Sequence, residues 1–159
     1  TLVEILLYII ISTTLISLIS FFIVSSLESR IKNQVIAQVN SEAVSAIQII
    51  TQTLRNTLAV NSPSLGSTSS SLSLNVNDNS LNPSILNLSS SRLTITEGAS
   101  SPIFLTSSKI IISSLNFQNL SRSNTPGVIK FSFIASYINV SGRNEYNFSK
   151  TFYATASLR

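Results

Sequence analysis

The side chains that could do chemistry are few in this chain and badly spaced for cooperation. Histidine and cysteine are absent, and the six acidic residues, Glu4, Glu28, Glu42, Asp78, Glu97 and Glu145, lie far apart in sequence. Serines abound, yet no general base stands beside any of them to activate a hydroxyl. Four glycines, at positions 66, 98, 127 and 142, are too sparse for a phosphate-cradling loop. Without cysteine there is neither a disulfide nor a thiolate metal site. The pattern points away from an enzyme, and no catalytic residue, cofactor or metal is expected. One acidic residue does call for explanation: Glu4 sits at the edge of a long apolar run.

The elements that must carry Glu4 follow from composition. The chain has 159 residues, enough for one domain with a core. Only 10% are charged, against roughly a quarter in soluble domains, while 43% are hydrophobic. Much of that apolar content must therefore meet lipid or other subunits. Net charge is +4 and the pI about 9.8, but the basic residues are scattered singly at Arg30, Lys32, Arg55, Arg92, Lys109, Arg122, Lys130, Arg143, Lys150 and Arg159. No stripe forms, so specific nucleic-acid binding is not expected.

Residues Thr1 to about Ala59 read as one helix. No charge occurs from Ile5 to Leu27, a length that matches the ~30 Å hydrocarbon layer at 1.5 Å per residue. Hydroxyls at Ser12, Thr13, Thr14, Ser17 and Ser20 interrupt the run, and in lipid they can bond to helix carbonyls or across to another helix. A secretory signal peptide would carry a basic start and a small-residue cleavage site. Here the start is acidic and no such site follows Val24. The segment is expected in the mature protein, and the missing initiator Met points to processing.

Beyond the apolar run the pattern turns amphipathic. Leu27, Ile31, Val35, Val39, Ala43, Ala46, Ile47, Ile50 and Leu54 recur at three- and four-residue steps. The stripe Val39, Ala43, Ala46, Ile47, Ile50 and Leu54 should cover a sheet, leaving the first half of the helix without a partner in the chain. Asn61, Ser62, Pro63 and Gly66 should end the helix. Residues 61–91, rich in Ser and Asn, read as a long surface loop with one short strand near Ile85 to Leu88.

Residues 92–159 read as antiparallel strands: Arg92 to Thr96 before a Glu97-Gly98 turn, Lys109 to Leu120, and Val128 to Val140 after an Asn124-Thr125-Pro126-Gly127 turn. A terminal strand aligns Tyr146, Phe148, Phe152, Ala154, Ala156 and Leu158. The expected fold is α+β, a long helix (segments 1–26 and 27–60) packed on a small antiparallel sheet head.

Glu4 has two readings. A helix-end carboxylate is favourable against the N-terminal dipole. An ionisable group near a membrane helix is also a functional candidate, costing up to roughly 2.5–3.5 kcal/mol at the bilayer centre. The run Thr1-Leu2-Val3-Glu4-Ile5-Leu6-Leu7-Tyr8-Ile9 resembles the N-terminal signature of type IV pilins and pseudopilins, in which a phenylalanine precedes Thr-Leu-Val/Ile-Glu. More loosely, Ile110 to Phe117 and the ending Thr151 to Arg159 resemble the heads of small pilin-like proteins.

The resemblance implies a ladle-shaped pilin fold and an N-terminus cleaved and methylated by prepilin peptidase. It further implies that Glu4 pairs with the N-terminal amine of a neighbouring subunit, with Thr1, Leu2, Val3, Ile5, Leu6, Tyr8 and Ile9 at the assembly surface. The function it implies is a structural subunit of an extracellular filament serving adhesion, motility or uptake. That homo-oligomer would be drawn from the cytoplasmic (inner) membrane by pilus-assembly machinery into a surface pilus or fimbrium. The lipid-type segment is kept whole together with the head, which favours the major subunit. A minor pilin or a pseudopilin of a secretion or DNA-uptake machine, and a monomeric membrane-anchored adhesin, stay open. Two departures from the family stand out: residues 1–59 lack the proline and glycine at which many pilin helices melt, and no C-terminal disulfide can form.

Overall fold

The computed structural model describes residues 1–123 and 127–158. Its first element is a single helix, α1 (Leu2–Arg55), of 54 residues, or ~81 Å. It runs without a break through Ser12–Thr14, where the hydroxyls of Thr13 and Thr14 fold back onto carbonyls of the same helix. Thr13 Oγ1 donates to Ile9 O (2.9 Å), Thr14 Oγ1 to Ile10 O (2.7 Å) and Ser17 Oγ to Thr13 O (2.9 Å).

The helix stops four residues earlier than its expected end at Ala59. The Asn56 N–H closes the last turn on Gln52 O and Thr53 O, both at 3.2 Å. The Thr57 hydroxyl bonds Thr53 O at 2.7 Å. Residues from Thr57 onward gain more from strand pairing than from another turn, so Pro63 and Gly66 follow a strand rather than end a helix.

That strand, β1 (Thr57–Ser62), opens a head with more sheet than expected. After β1 come β2 (Thr68–Ser69), β3 (Leu72–Val76), a 3-10 turn at Asn79–Leu81, β4 (Ser84–Ser89), β5 (Arg92–Glu97) and β6 (Ile103–Phe104). The chain continues with β7 (Ile110–Asn119), β8 (Val128–Tyr137), a 3-10 turn at Asn144–Tyr146 and β9 (Ser149–Ser157). Two antiparallel sheets result, ordered β1-β3-β4-β5-β6 and β2-β7-β8-β9. The fold is α+β, a long helix on a sheet head.

Residues 61–91 thus correct the loop reading. Leu72, Leu74 and Val76 alternate with Ser73 and Asn75, and the apolar side chains are buried. The strand at Ile85–Leu88 is there, as part of β4.

The core forms where α1 and the two sheets meet. Val39, Ala43, Ala46, Ile50 and Leu54 of the helix join Leu74, Leu86 and Leu93 of the first sheet and Ile112, Phe131 and Phe133 of the second in one cluster. Phe117 and Phe131 approach to 6.0 Å between ring centroids, Phe133 and Phe152 to 5.7 Å. Ile129, Phe131, Phe133 and Ala135 of β8 point inward, while Tyr137 is only half-buried.

In β7, Ile110 and Ile112 are inward, yet so are Leu115 and Phe117. A bulge at Ser114, with φ 52°, inserts the residue that switches parity. Phe152, Ala156 and Leu158 are buried in the terminal strand region, but Tyr146 belongs to the 3-10 turn before it. The expected turn residues Asn124, Thr125 and Pro126, and Arg159, lie outside the described residues.

Candidate functional site

Two halves of α1 have different fates. Val39, Ala43, Ala46, Ile50 and Leu54 are wholly buried beneath the head, and Ile47 packs at the margin of the core. Val35, at 3% exposure, is the first apolar side chain of the helix to be buried. Every residue from Thr1 to Ser25 is exposed. Leu2, Val3, Ile5, Leu6, Tyr8 and Ile9 all present their side chains outward with nothing of this chain against them. The most apolar stretch of the helix is therefore its least covered, the inverse of a soluble core helix.

Glu4 sits at the head of this stretch. Its Oε2 accepts from the Thr1 backbone nitrogen at 2.6 Å and from Thr1 Oγ1 at 3.3 Å, while the Glu4 N–H bonds Thr1 O at 3.1 Å. A side chain at the third helical position reaching back to the capping residue satisfies donors that the first turn leaves open. Both groups are largely exposed, Thr1 at 82% and Glu4 at 69%. In the single chain, then, Glu4 is a capping carboxylate. It lies where another helix end could reach it.

The covered half is held to the head by polar contacts that sequence reasoning misses. Glu42 accepts from Ser107 on the far side of the interface. Lys150 Nζ donates to Asn40 Oδ1 at 3.1 Å. Glu145 is buried in the 3-10 turn that leans on the helix, and Arg143 neutralises it. Nothing in local sequence pairs residues so far apart; only the half-buried register of Asn40 and Glu42 on the stripe's margin hints that they meet the head.

No cluster of three or more possible metal-ligating side chains occurs among the described residues. The head and helix together define an α+β protein whose N-terminal helix is long and apolar enough to cross a membrane. No family model, curated protein or solved structure matches the chain.

Proposed function

We propose that this chain is a pilin-like structural subunit, anchored in a membrane by the first half of α1 and assembled through that half into an extracellular filament. The observation that carries the reading is the division of α1: its C-terminal half is consumed by the head, and its apolar N-terminal half has no cover within the chain. Exposed apolar surface on this scale demands lipid or protein. A helix of this length serves both, in a bilayer before assembly and against copies of itself afterwards.

In such a filament the helices would pack side by side, exchanging lipid contacts for protein contacts. Glu4 would give up its capping bond and accept a cation from the neighbouring subunit's N-terminus. Burying either charge alone is costly, and a hydrogen-bonded pair offsets that cost for both, so the pair sets register between subunits more than raw affinity. The chain's resemblance at Thr1 to Ile9 supports this assignment. Adhesion, surface motility and uptake are the roles open to such a fibre, with copies of the major subunit as its bulk.

The test is Glu4→Ala in the native cell. Membrane insertion should persist, because the apolar run is untouched, while the yield of sheared surface fibres collapses. Normal fibre yield removes the pairing role. Wild-type chains that stay as lone units in the membrane, with no helix-to-helix crosslinks and no fibres, remove the filament reading altogether.

A further inference from the structure

The two sheets of the head end in four edge strands, β1 and β6 in one and β2 and β9 in the other. An open edge offers unpaired N–H and C=O groups to any passing strand, and proteins blunt such edges with short strands, bulges, proline or charge. Three of these edges are blunted. β2 and β6 have two residues each, and β1 shifts register twice against β3. By contrast, β9 (Ser149–Ser157) pairs with β8 over its whole length without a shift and holds no proline or glycine. Its single charge, Lys150, lies at its start and is already engaged by Asn40 at 3.1 Å.

The ladder fixes which groups are free. Leu158 N–H bonds Gly127 O at 2.8 Å and Tyr137 N–H bonds Phe148 O at 3.1 Å, both in the register of the β8–β9 pairing. Bonded pairs alternate along an antiparallel ladder, so the even-numbered residues of β9 face β8. Ser149, Thr151, Tyr153, Thr155 and Ser157 turn N–H and C=O outward, and no described residue bonds those N–H groups. All five are exposed, Tyr153 at 69%. The helix flank beside this edge is open too. Asn40, Val44, Ile47 and Thr51 recur along it without a charge. Val44 is 47% exposed, the one large apolar side chain of α1 past Leu27 that the head leaves in water.

We propose that β9 is a self-pairing edge, through which two copies of this chain join head to head and merge their four-stranded sheets across an antiparallel β9–β9 ladder. Of the chain's own edges, only β9 matches β9 in length and regularity. Centring the pair on Tyr153 uses every outward residue: Tyr153 meets Tyr153 of the second copy, Thr151 meets Thr155, and Ser149 meets Ser157. Threonine and tyrosine suit cross-strand pairs. Lys150 falls opposite Ala156, so the two lysines stay ~20 Å apart and no like charges meet. The same two-fold axis turns the Val44 flanks of the two helices toward each other.

The direction of β9 decides which copies can meet. It runs in the same sense as α1, from Lys150 at Asn40 to the cleft that Leu158 shares with Leu58. A two-fold axis therefore reverses one helix against the other, and the apolar runs leave the joined heads at opposite ends. The contact links subunits of two opposed assemblies, not neighbours within one fibre or one membrane. It draws on the head alone and stands apart from the filament reading.

The chain has no cysteine, so single-cysteine variants of the full-length chain in detergent report the register directly. In the pair, the two Tyr153 positions face each other with Cα atoms ~5.5 Å apart, within disulfide reach. Mild oxidation should link Tyr153→Cys into dimers. Thr151→Cys and Thr155→Cys should link when mixed but not alone, and Leu65→Cys should stay single. Amide exchange in the unmodified chain gives a second reading: the N–H groups of Thr151, Tyr153 and Thr155 should slow by about tenfold or more as protein concentration rises. Thr155→Pro removes an outward N–H and no bond to β8, and should abolish that protection at Tyr153 with the circular dichroism unchanged. Exchange at these amides that stays fast at every concentration overturns the proposal. Thr151→Cys that links to itself as readily as Tyr153→Cys also overturns it, because the chains then meet side by side through their helices. Slowed exchange without Tyr153→Cys linkage assigns the edge to a different strand and rejects self-pairing. A chain that never forms fibres sinks the filament and leaves this contact standing, and failure of the register leaves the filament standing.

Discussion

Glu42 and Ser107, 65 residues apart in sequence, close a two-pronged hydrogen bond between helix and head. The carboxylate accepts from the Ser107 N–H at 2.8 Å and from its hydroxyl at 2.7 Å, and Gln38 Nε2 steadies it at 3.0 Å from one helical turn away. Charge-assisted bonds in a half-buried seam are worth more than neutral surface ones. Glu42→Ala strips both acceptors and leaves the Ser107 N–H short of a partner. Denaturant unfolding of the detergent-solubilised chain should show a loss of about 2 kcal/mol. Glu42→Gln, which keeps one acceptor, should recover part of it.

Gly98 follows β5 with φ +57°, and a Cβ there would overlap the carbonyl oxygen of Ser80. That oxygen is backbone and cannot swing aside. Gly142, with φ +68°, has open space around it. Both positions penalise a side chain by roughly 1–2 kcal/mol through backbone conformation alone, but only Gly98 adds a collision. Thermal unfolding of Gly98→Ala should therefore fall well below that of Gly142→Ala. Equal melting points would show that the β5–β6 connection yields more easily than its contacts imply.

Ser90 and Ser91 form the two-residue turn between β4 and β5, both at positive φ, 50° and 57°, with Ser89 facing Arg92. Such turns favour Asn-Gly because both central residues sit in the left-handed region. Ser91→Gly should raise stability by about 1 kcal/mol, since serine carries a strain there that glycine does not. The carbonyl of Ser91 accepts from Ile112 at 2.7 Å, and the substitution leaves that bond in place.

The same turn explains why the first sheet is hard to read from sequence. A Ser-Ser pair inside Ser89 to Arg92 carries none of the glycine or asparagine that marks a hairpin, so β4 and β5 do not announce themselves as partners. Leu72, Leu74 and Val76 do alternate, but the surrounding serines and asparagines suggest a solvated loop. Burial of three apolar side chains against the core outweighs that composition. In β7 the bulge at Ser114 breaks the period of two, hiding the shared face of Ile112 and Leu115. The helix is legible because its signal is repeated over many turns, from the uncharged run to the stripe ending at Leu54. The tethers Glu42–Ser107 and Lys150–Asn40 depend on how distant segments meet, which no local pattern encodes. Glu4 stands out by type and place, and in the single chain its carboxylate bonds to Thr1.

Asp78 caps the short turn at Asn79–Leu81, taking bonds from Ser80 Oγ at 2.6 Å and Ser80 N at 2.9 Å. The hydroxyl first, and then the N–H, hold its carboxyl below the ordinary carboxylate range, against a smaller opposing effect of desolvation. A folded-state pKa below the unfolded value means the unfolded chain binds its proton first as pH drops. The stabilisation is then complete above about pH 4 and is lost as pH falls through the native value. The group is fully exposed, so the effect is small. A carbon-detected NMR titration should find the Asp78 midpoint lowered, and Ser80→Ala should move it upward toward the ordinary range. A midpoint unchanged by Ser80→Ala would remove serine as the cause.

Ile50 and Ile16 lie on the same helix with the same side chain and opposite surroundings, 0% and 63% exposed. Truncating Ile50 leaves a cavity between helix and sheet, so Ile50→Ala should cost about 3 kcal/mol of head stability. Ile16→Ala removes contacts that the single chain does not make, and its unfolding curve should overlay the wild type. Fibre yield should respond to Ile16 instead, because helix packing between subunits would use that face, with larger loss for Ile16→Asn than for Ile16→Ala. If Ile16→Asn leaves both membrane insertion and fibre yield intact, the exposed half of α1 is not the surface on which copies meet.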